Sequence, residues 1–320
     1  MYCNIALKCS IIPLQIDFGV EKMQELFSYG LISASTVMFG FMFFFNELFR
    51  KNYGSGLKAT LVMSAGGNIF GLITLLIVNG VVFEFSVYAF IMASIAAING
   101  LLFSFCSLYA LSKISLSLYS LFSMLGGMVL PFVSGILFHG EPFTVSKAVC
   151  FVIITAALIL ATDKTKQKGG TLFYIGIFVF NGMAGVIANA YQSLPFKQIS
   201  SAGFSILKSV VIIAICVVML LFIKGEKIKF NFGSMLGMAG SGVLGNIGNW
   251  LLLIALLNLD SSVQYPFITG GTMIVSTIIS AFTSKKPTKK EVVAVTLAFV
   301  GILLLVILPE KVIFQFKELF

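Results

Sequence analysis

This sequence predicts an all-α integral membrane protein, with ten transmembrane helices arranged as two inverted five-helix repeats. Three observations support that fold. Hydrophobic residues form 58% of the chain and charged residues only 10%. The apolar residues fall into stretches of membrane-spanning length, and the second half repeats the first at a constant offset. A chain of this composition has more apolar surface than one soluble core can bury, so it belongs in a bilayer.

The apolar stretches are long enough to cross a membrane, because about 20 apolar residues span roughly 30 Å of hydrocarbon. Short connections separate them, so no soluble domain is predicted. We divide the chain into an N-terminal segment 1–25, a first repeat 26–163, a linker 164–170, a second repeat 171–308 and a tail 309–320. The predicted spans are 26–46, 57–79, 85–110, 114–138, 144–162, 171–191, 201–223, 232–257, 260–283 and 291–308.

The repeat is visible when residues 108–160 are aligned without a gap to residues 253–305, at an offset of 145, because ten of the 53 pairs are identical. Repeats built from an odd number of helices cross the membrane in opposite orientations, an arrangement typical of transporters. Identical pairs at this offset include Tyr29 with Tyr174, Gly40 with Gly185, Gly100 with Gly245, Gly126 with Gly271, Met128 with Met273 and Pro142 with Pro287.

Membrane topology accounts for the distribution of the basic residues that give the chain its net charge of +9. Segments after the odd-numbered spans carry fourteen Lys and Arg residues, the opposite side carries six, and Lys208 lies within a span. By the positive-inside rule, both termini then face away from the cytoplasm. We therefore predict a multi-pass protein of the plasma or inner membrane. The basic residues are scattered rather than gathered with aromatic residues, so nucleic acid is not an expected partner.

Enzymatic and metal chemistry have little support in the sequence. His139 is the single histidine, and the five cysteines lack metal-like or redox-like spacing. No Asp or Glu lies near the middle of a predicted span. We therefore expect neither an enzyme nor a cofactor. At the two ends, Met23 is an alternative start, and the tail suits either an interfacial helix with Val312, Phe316 and Leu319 on one face or a frayed end.

Several short motifs resemble the EamA-like family of the drug/metabolite transporter superfamily. Phe39-Gly40 matches an aromatic-Gly pair in the first helix of a half, Ala184-Gly185 matches it in part, and Gly140-Glu141 matches a Gly-Glu step after the fourth helix. The second half departs from that step, with Lys285-Lys286 before Pro287. The resemblance implies ten helices in inverted halves and a central cavity lined mainly by the first, third and fourth helices of each half.

Polar side chains deep in the bilayer are the candidate substrate contacts, because hydrocarbon offers them no partner. The alternative for each amide is a hydrogen bond between helices. Asn68 is the weaker candidate, since the resemblance puts the second helix outside the cavity. The predicted substrate-binding residues are Asn99, Tyr119, Asn181, Asn246, Asn249, Trp250, Gln264 and Tyr265.

Glycines and prolines within the spans are candidates for gating or close helix contact. Each proline removes a helix hydrogen bond and frees a carbonyl, which either a ligand or a neighbouring helix can satisfy. Lys208 is a candidate for contact with a charged substrate group, with snorkelling to the membrane surface as the alternative. The gating or contact candidates are Pro131, Pro266, Gly126, Gly127, Gly270, Gly271, Gly233 and Gly237.

These features favour a secondary transporter of small polar or zwitterionic metabolites, with amino acids as the leading class and export favoured over import. Efflux of amphipathic drugs and a non-transporting membrane sensor on the same fold remain alternatives. The expected partners are a small-molecule substrate and the lipid bilayer, and a homodimer is left open.

Overall fold

The structure, a computed structural model, describes residues 15–54, 56–80, 82–113, 116–161, 171–223, 230–281, 289–308 and 311–314. In these residues there are ten α-helices, and each overlaps one predicted span. The helices are α1 (Gln15–Tyr53), α2 (Leu57–Val78), α3 (Val87–Lys113), α4 (Leu116–Phe138), α5 (Val145–Ala161), α6 (Thr171–Ser193), α7 (Ser201–Phe222), α8 (Phe232–Ala255), α9 (Ser261–Ala281) and α10 (Lys289–Ile307).

Six of the helices, α1, α2, α3, α6, α7 and α8, are long and apolar enough to cross a membrane, and shorter apolar segments lie in α4, α5 and α10. Large apolar side chains cover the outer surface. Leu221, Phe222 and Phe232, for example, are each about four-fifths exposed. An apolar surface of this extent suits contact with lipid rather than water. The chain is a multi-pass helical membrane protein.

α1 begins earlier than predicted, at Gln15 rather than at 26, and continues to Tyr53. The added turns contain Asp17, Glu21 and Lys22. Charged residues end an apolar stretch without ending a helix, because Glu and Lys are good helix formers. The N-terminal segment 1–25 is therefore partly helical, from Gln15 onward.

Helices of one half pack mainly against helices of the other. α1 packs against α8 and α9, and its counterpart α6 packs against α3 and α4. α2 packs on α7, α4 on α9 and α5 on α10, so each of these helices contacts its own counterpart in the other half. The pattern of contacts between helices therefore stays largely the same when each helix is replaced by its counterpart in the other half, such as α1 by α6 or α3 by α8.

Glycines bring several of these helix pairs into close contact. A Cβ atom on Gly242 of α8 would collide with the backbone of Gly67 in α2, and one on Gly126 of α4 would collide with the carbonyl of Phe178 in α6. Gly233 and Gly237 face Asn52 and the backbone of Phe49 in α1, respectively. Glycine is the residue that allows backbones to approach this closely. Of the predicted gating or contact residues, Gly126, Gly233 and Gly237 each face a neighbouring helix in this way.

One buried carboxylate joins the halves at the start of α9. Glu141, which is 8% exposed, accepts hydrogen bonds from the backbone N–H of Ser261 (2.9 Å), the hydroxyl of Ser261 (2.7 Å) and the backbone N–H of Ser262 (2.9 Å). The next two N–H groups of α9 donate to the carbonyl of Asp260. All four N–H groups of the first turn are therefore satisfied, two of them by a side chain from the other half.

An ion pair and a short sheet stabilise the same end of the molecule. The buried ammonium of Lys147 donates to Asp260 (2.6 Å) and to the carbonyl of Pro142 (3.0 Å). Strand β1 (Phe143–Thr144) pairs antiparallel with β2 (Val312–Phe314). Residues 312–314 are thus a strand, not part of an interfacial helix or a frayed end. A three-residue strand was not predictable from the sequence, because its partner lies far away in the chain.

Candidate functional site

A cavity of about 370 Å³ lies at the centre of the bundle, among α1 to α4 and α6 to α9. α5 and α10 pack on each other, and none of the described lining residues belongs to them. Aromatic and apolar side chains, including Phe39, Phe43, Phe103 and Phe204, form much of the wall. The polar lining residues are Asn46, Ser64, Asn68, Ser104, Ser123, Asn181, Lys208, Ser241, Asn246, Asn249, Tyr265, Thr269 and Thr272.

The second helix of each half lines this cavity as well as the first, third and fourth. α2 contributes Ser64 and Asn68, and α7 contributes Lys208. The expectation that the second helix lies outside the cavity is therefore wrong, and it was the reason for ranking Asn68 below the other amides. α2 and α7 pack against each other across the two halves, which brings one face of each to the centre.

Half of the predicted substrate contacts line the cavity, namely Asn181, Asn246, Asn249 and Tyr265. The cavity lining does not include Asn99, Trp250 or Gln264. Asn99 donates to the carbonyl of Phe180 in α6, and the fully buried Gln264 donates to the carbonyl of Leu252 in α8. These two amides therefore connect helices, which was the alternative given for them. Trp250 is half-buried. Tyr119 belongs to α4, and its side chain is outside the described residues.

The cavity amides present their oxygen atoms as acceptors. The NH₂ groups of Asn68, Asn181 and Asn249 donate to the carbonyls of Ser64, Ser123 and Gly245. No described residue donates a hydrogen bond to the oxygen of any of these three amides. Asn246 differs, because its oxygen accepts from Ser209 (3.0 Å) while its NH₂ donates to Gly242 (2.9 Å). Three amide oxygens thus remain for a donor on a ligand.

Two hydroxyl groups in the cavity wall are also without a partner. The oxygens of Ser123 and Thr272 are buried and form no hydrogen bond to any described residue. Tyr265, in contrast, donates to the carbonyl of Gly185 (3.1 Å) and ties α9 to α6. A buried hydroxyl left without a partner is unfavourable, and these two oxygens are too occluded to meet a polar ligand unless the helices around them move.

The predicted gating residues divide between the cavity wall and helix contacts. Gly127 lines the cavity, and Pro131 lies four residues beyond it in α4, so the proline leaves the Gly127 carbonyl without its helical donor. The ring of Pro131 faces Gly185 in α6. Pro266 lies within α9 and leaves the carbonyl of Ser262 without its helical donor in the same way. Gly126 is a site of α4–α6 contact, Gly271 faces Thr36, and Gly270 faces Ile154 and Ile302.

The repeat register is the signal that could have found the missed lining residues. Ser104, which no sequence pattern favoured, lies at an offset of 145 from Asn249, and both line the cavity. Gly100 and Gly245 form another such lining pair. Single serines and threonines are common in membrane helices, so Ser123 and Thr272 carry no signal of their own.

Comparisons with known proteins identify a shared fold. No family model and no curated protein matches the chain. Among solved structures, one described as "Crystal structure of protein" is similar with a TM-score of 0.65 and 13% identity, over 87% of this chain and 99% of that chain. At this identity the similarity concerns the fold alone. A sodium-calcium exchanger, NCX_Mj, soaked with Na⁺ and Sr²⁺, matches at 13% identity over 89% of this chain and 98% of that chain, with a TM-score of 0.19. That score does not indicate a common fold.

Proposed function

We propose that this protein is a secondary transporter of small polar or zwitterionic metabolites, foremost amino acids, and that it works by alternating access with export favoured over import. One observation carries the proposal: a central cavity bounded by helices of both halves and lined by the amide oxygens of Asn68, Asn181 and Asn249, to which no described residue donates. Transporters bind their substrates near the middle of the membrane, where the two repeats meet.

Ten crossings in two inverted repeats belong to the same proposal, and the helix packing supports them. In each of three contacts between connecting segments, both segments follow even-numbered helices or both follow odd-numbered helices. Glu84, after α2, contacts Ser200, after α6; Glu141, after α4, contacts Ser261, which follows α8 as the first residue of α9; and Asn52, in the last turn of α1, contacts Asn231, which follows α7 and caps the start of α8. If every helix crosses the bilayer, segments after even-numbered helices share one side, as these contacts require.

The cavity chemistry suits an amino acid better than an amphipathic cation. The free amide oxygens can accept hydrogen bonds from an ammonium group, and the volume lies within the range of small-molecule sites, about 300–1,000 Å³. No Asp or Glu is among the described cavity-lining residues. Export of a lipophilic cation in exchange for protons would require such a carboxylate, so the aromatic wall alone does not favour drug efflux.

Transport of amino acids into or out of liposomes is the direct test. We expect purified protein to accelerate flux of at least one neutral amino acid, and we expect Gly100→Leu to reduce that flux at least about ten-fold. Gly100 lines the cavity, and a Cβ atom there has open space around it, so leucine fills the cavity without disturbing helix contacts. Gly30→Leu is the matched control, because Gly30 is exposed and equally unhindered. Absence of amino acid flux in both directions would refute the substrate class.

Membrane topology gives a second test. Lys51 and Phe196 are related by the offset of 145 and are both exposed. In a background without native cysteines, we expect Lys51→Cys and Phe196→Cys to react with an impermeant maleimide from opposite sides of the membrane, with Lys51 cytoplasmic. Labelling of both positions from one side would exclude inverted repeats.

A further inference from the structure

Lys208 is the one charged side chain among the described residues that line the cavity. It lies in α7, about two turns after the helix begins at Ser201. Phe204 and Ile212, one turn before and one turn after it, also line the cavity. Residues four apart share a helix face, so the stripe of α7 that carries Lys208 faces the centre of the bundle. Snorkelling to the membrane surface does not fit this position.

The ammonium of Lys208 has no counter-ion in the described part of the chain. The ion pairs formed there are Lys51 with Glu47 and Lys147 with Asp260, and no described residue hydrogen-bonds Lys208. An uncompensated charge at membrane depth is unfavourable, and such residues usually mark the path of a substrate or ion. At the offset of 145, the counterpart of Lys208 in the first half is Met63, which also lines the cavity. Only the second-half member of this pair of lining residues is therefore charged.

We infer that Lys208 binds a carboxylate of the substrate, so that the protein selects small molecules with a free carboxylate. The inference rests on the proposed function and defines its substrate class. One lysine balances one negative charge, and no arginine is among the described lining residues, which favours a carboxylate over a phosphate dianion. The free oxygens of Asn68, Asn181 and Asn249 accept from the ammonium group of the same substrate. Together these groups are complementary to an α-amino acid zwitterion.

Binding to purified protein tests this assignment without requiring transport. Thermal stabilisation is measured with each of the twenty standard amino acids, and then with the amide and the deaminated acid of any that bind. We expect conversion of the carboxylate to an amide to weaken binding about 10- to 100-fold. The deaminated acid is expected to retain binding that depends on Lys208. If no amino acid binds, straight-chain monocarboxylates serve as the probes.

Two substitutions separate charge from structure. Lys208→Met copies the first-half counterpart and is expected to weaken carboxylate binding about 10- to 100-fold while preserving or raising thermal stability, because it removes an unpaired charge. Lys208→Arg is expected to restore most of the binding. Equal binding of acid and amide, unchanged binding by Lys208→Met, or no stabilisation by any carboxylate would overturn the inference. Lys208-dependent binding of a carboxylate without flux in liposomes would support the role of Lys208 and refute the proposed transport. Flux of uncharged solutes that does not depend on Lys208 would overturn the role of Lys208 and leave the proposed transport intact.

Discussion

Substitution of Gly242 by valine is expected to prevent stable folding. Its Cβ would collide with the backbone of Gly67, so α2 and α8 could not remain at their present separation. A backbone obstacle cannot move aside as a flexible side chain can, and overpacking of this kind costs about 3 kcal/mol or more. We expect a large loss of monodisperse protein in fluorescence-detected size-exclusion chromatography. Any protein recovered should have a lowered melting temperature.

Gly100→Val is the matched control for this substitution, because it adds the same side chain to a position where a Cβ atom meets nothing. It should fold like the wild type. Gly242→Ala should fall between the two. If Gly242→Val melted at the wild-type temperature, the close approach of α2 and α8 would be refuted.

Substitution of Glu141 by alanine is expected to destabilise the protein by on the order of 3 kcal/mol, because it removes three hydrogen bonds to one buried carboxylate. Two N–H groups at the start of α9 would lose their acceptor, and the favourable interaction of the carboxylate with the helix dipole would also be lost. Glu141→Gln should give an intermediate loss, since an amide keeps only one accepting oxygen. Chemical or thermal denaturation in detergent measures both effects.

Glu47→Ala provides the control for Glu141. Glu47 forms an ion pair with Lys51 one turn along α1, where the lysine side chain is about half exposed. Exposed pairs of this type contribute roughly 0.5 kcal/mol or less. Equal destabilisation by Glu47→Ala and Glu141→Ala would show that the Glu141 hydrogen bonds do not join the halves as described.

The sequence predicted the helices well because hydropathy alone separates apolar spans from polar connections. α7, predicted at 201–223, is observed at Ser201–Phe222. Hydropathy does not report how a helix is rotated about its axis, since both the lipid-facing and the core-facing sides of a membrane helix are apolar. Asn68 and Asn99 show the result: the residue ranked lower lines the cavity, and the residue ranked higher connects α3 to α6.

Contacts between distant segments were beyond sequence reasoning. The Gly140-Glu141 step was recognised, but its carboxylate could not be assigned to the first turn of α9, 120 residues away. The cavity position of Lys208 was likewise only one of two alternatives, because depth in a span does not determine whether a side chain faces the lipid or the bundle. The packing of α7 decides between them.

Two glutamates of the first half stabilise helix starts of the second half at one end of the molecule: Glu141 at α9, and Glu84, which accepts from the N–H of Ser200 at α7. At an offset of 145 their counterparts are Lys229 and Lys286, both outside the described residues. A cation cannot accept from an N–H group, so the positions related by the offset cannot form the same contacts. For the proposed alternating-access function, opening at this end would have to break the hydrogen bonds of Glu84 and Glu141, which a lysine at the related position cannot form.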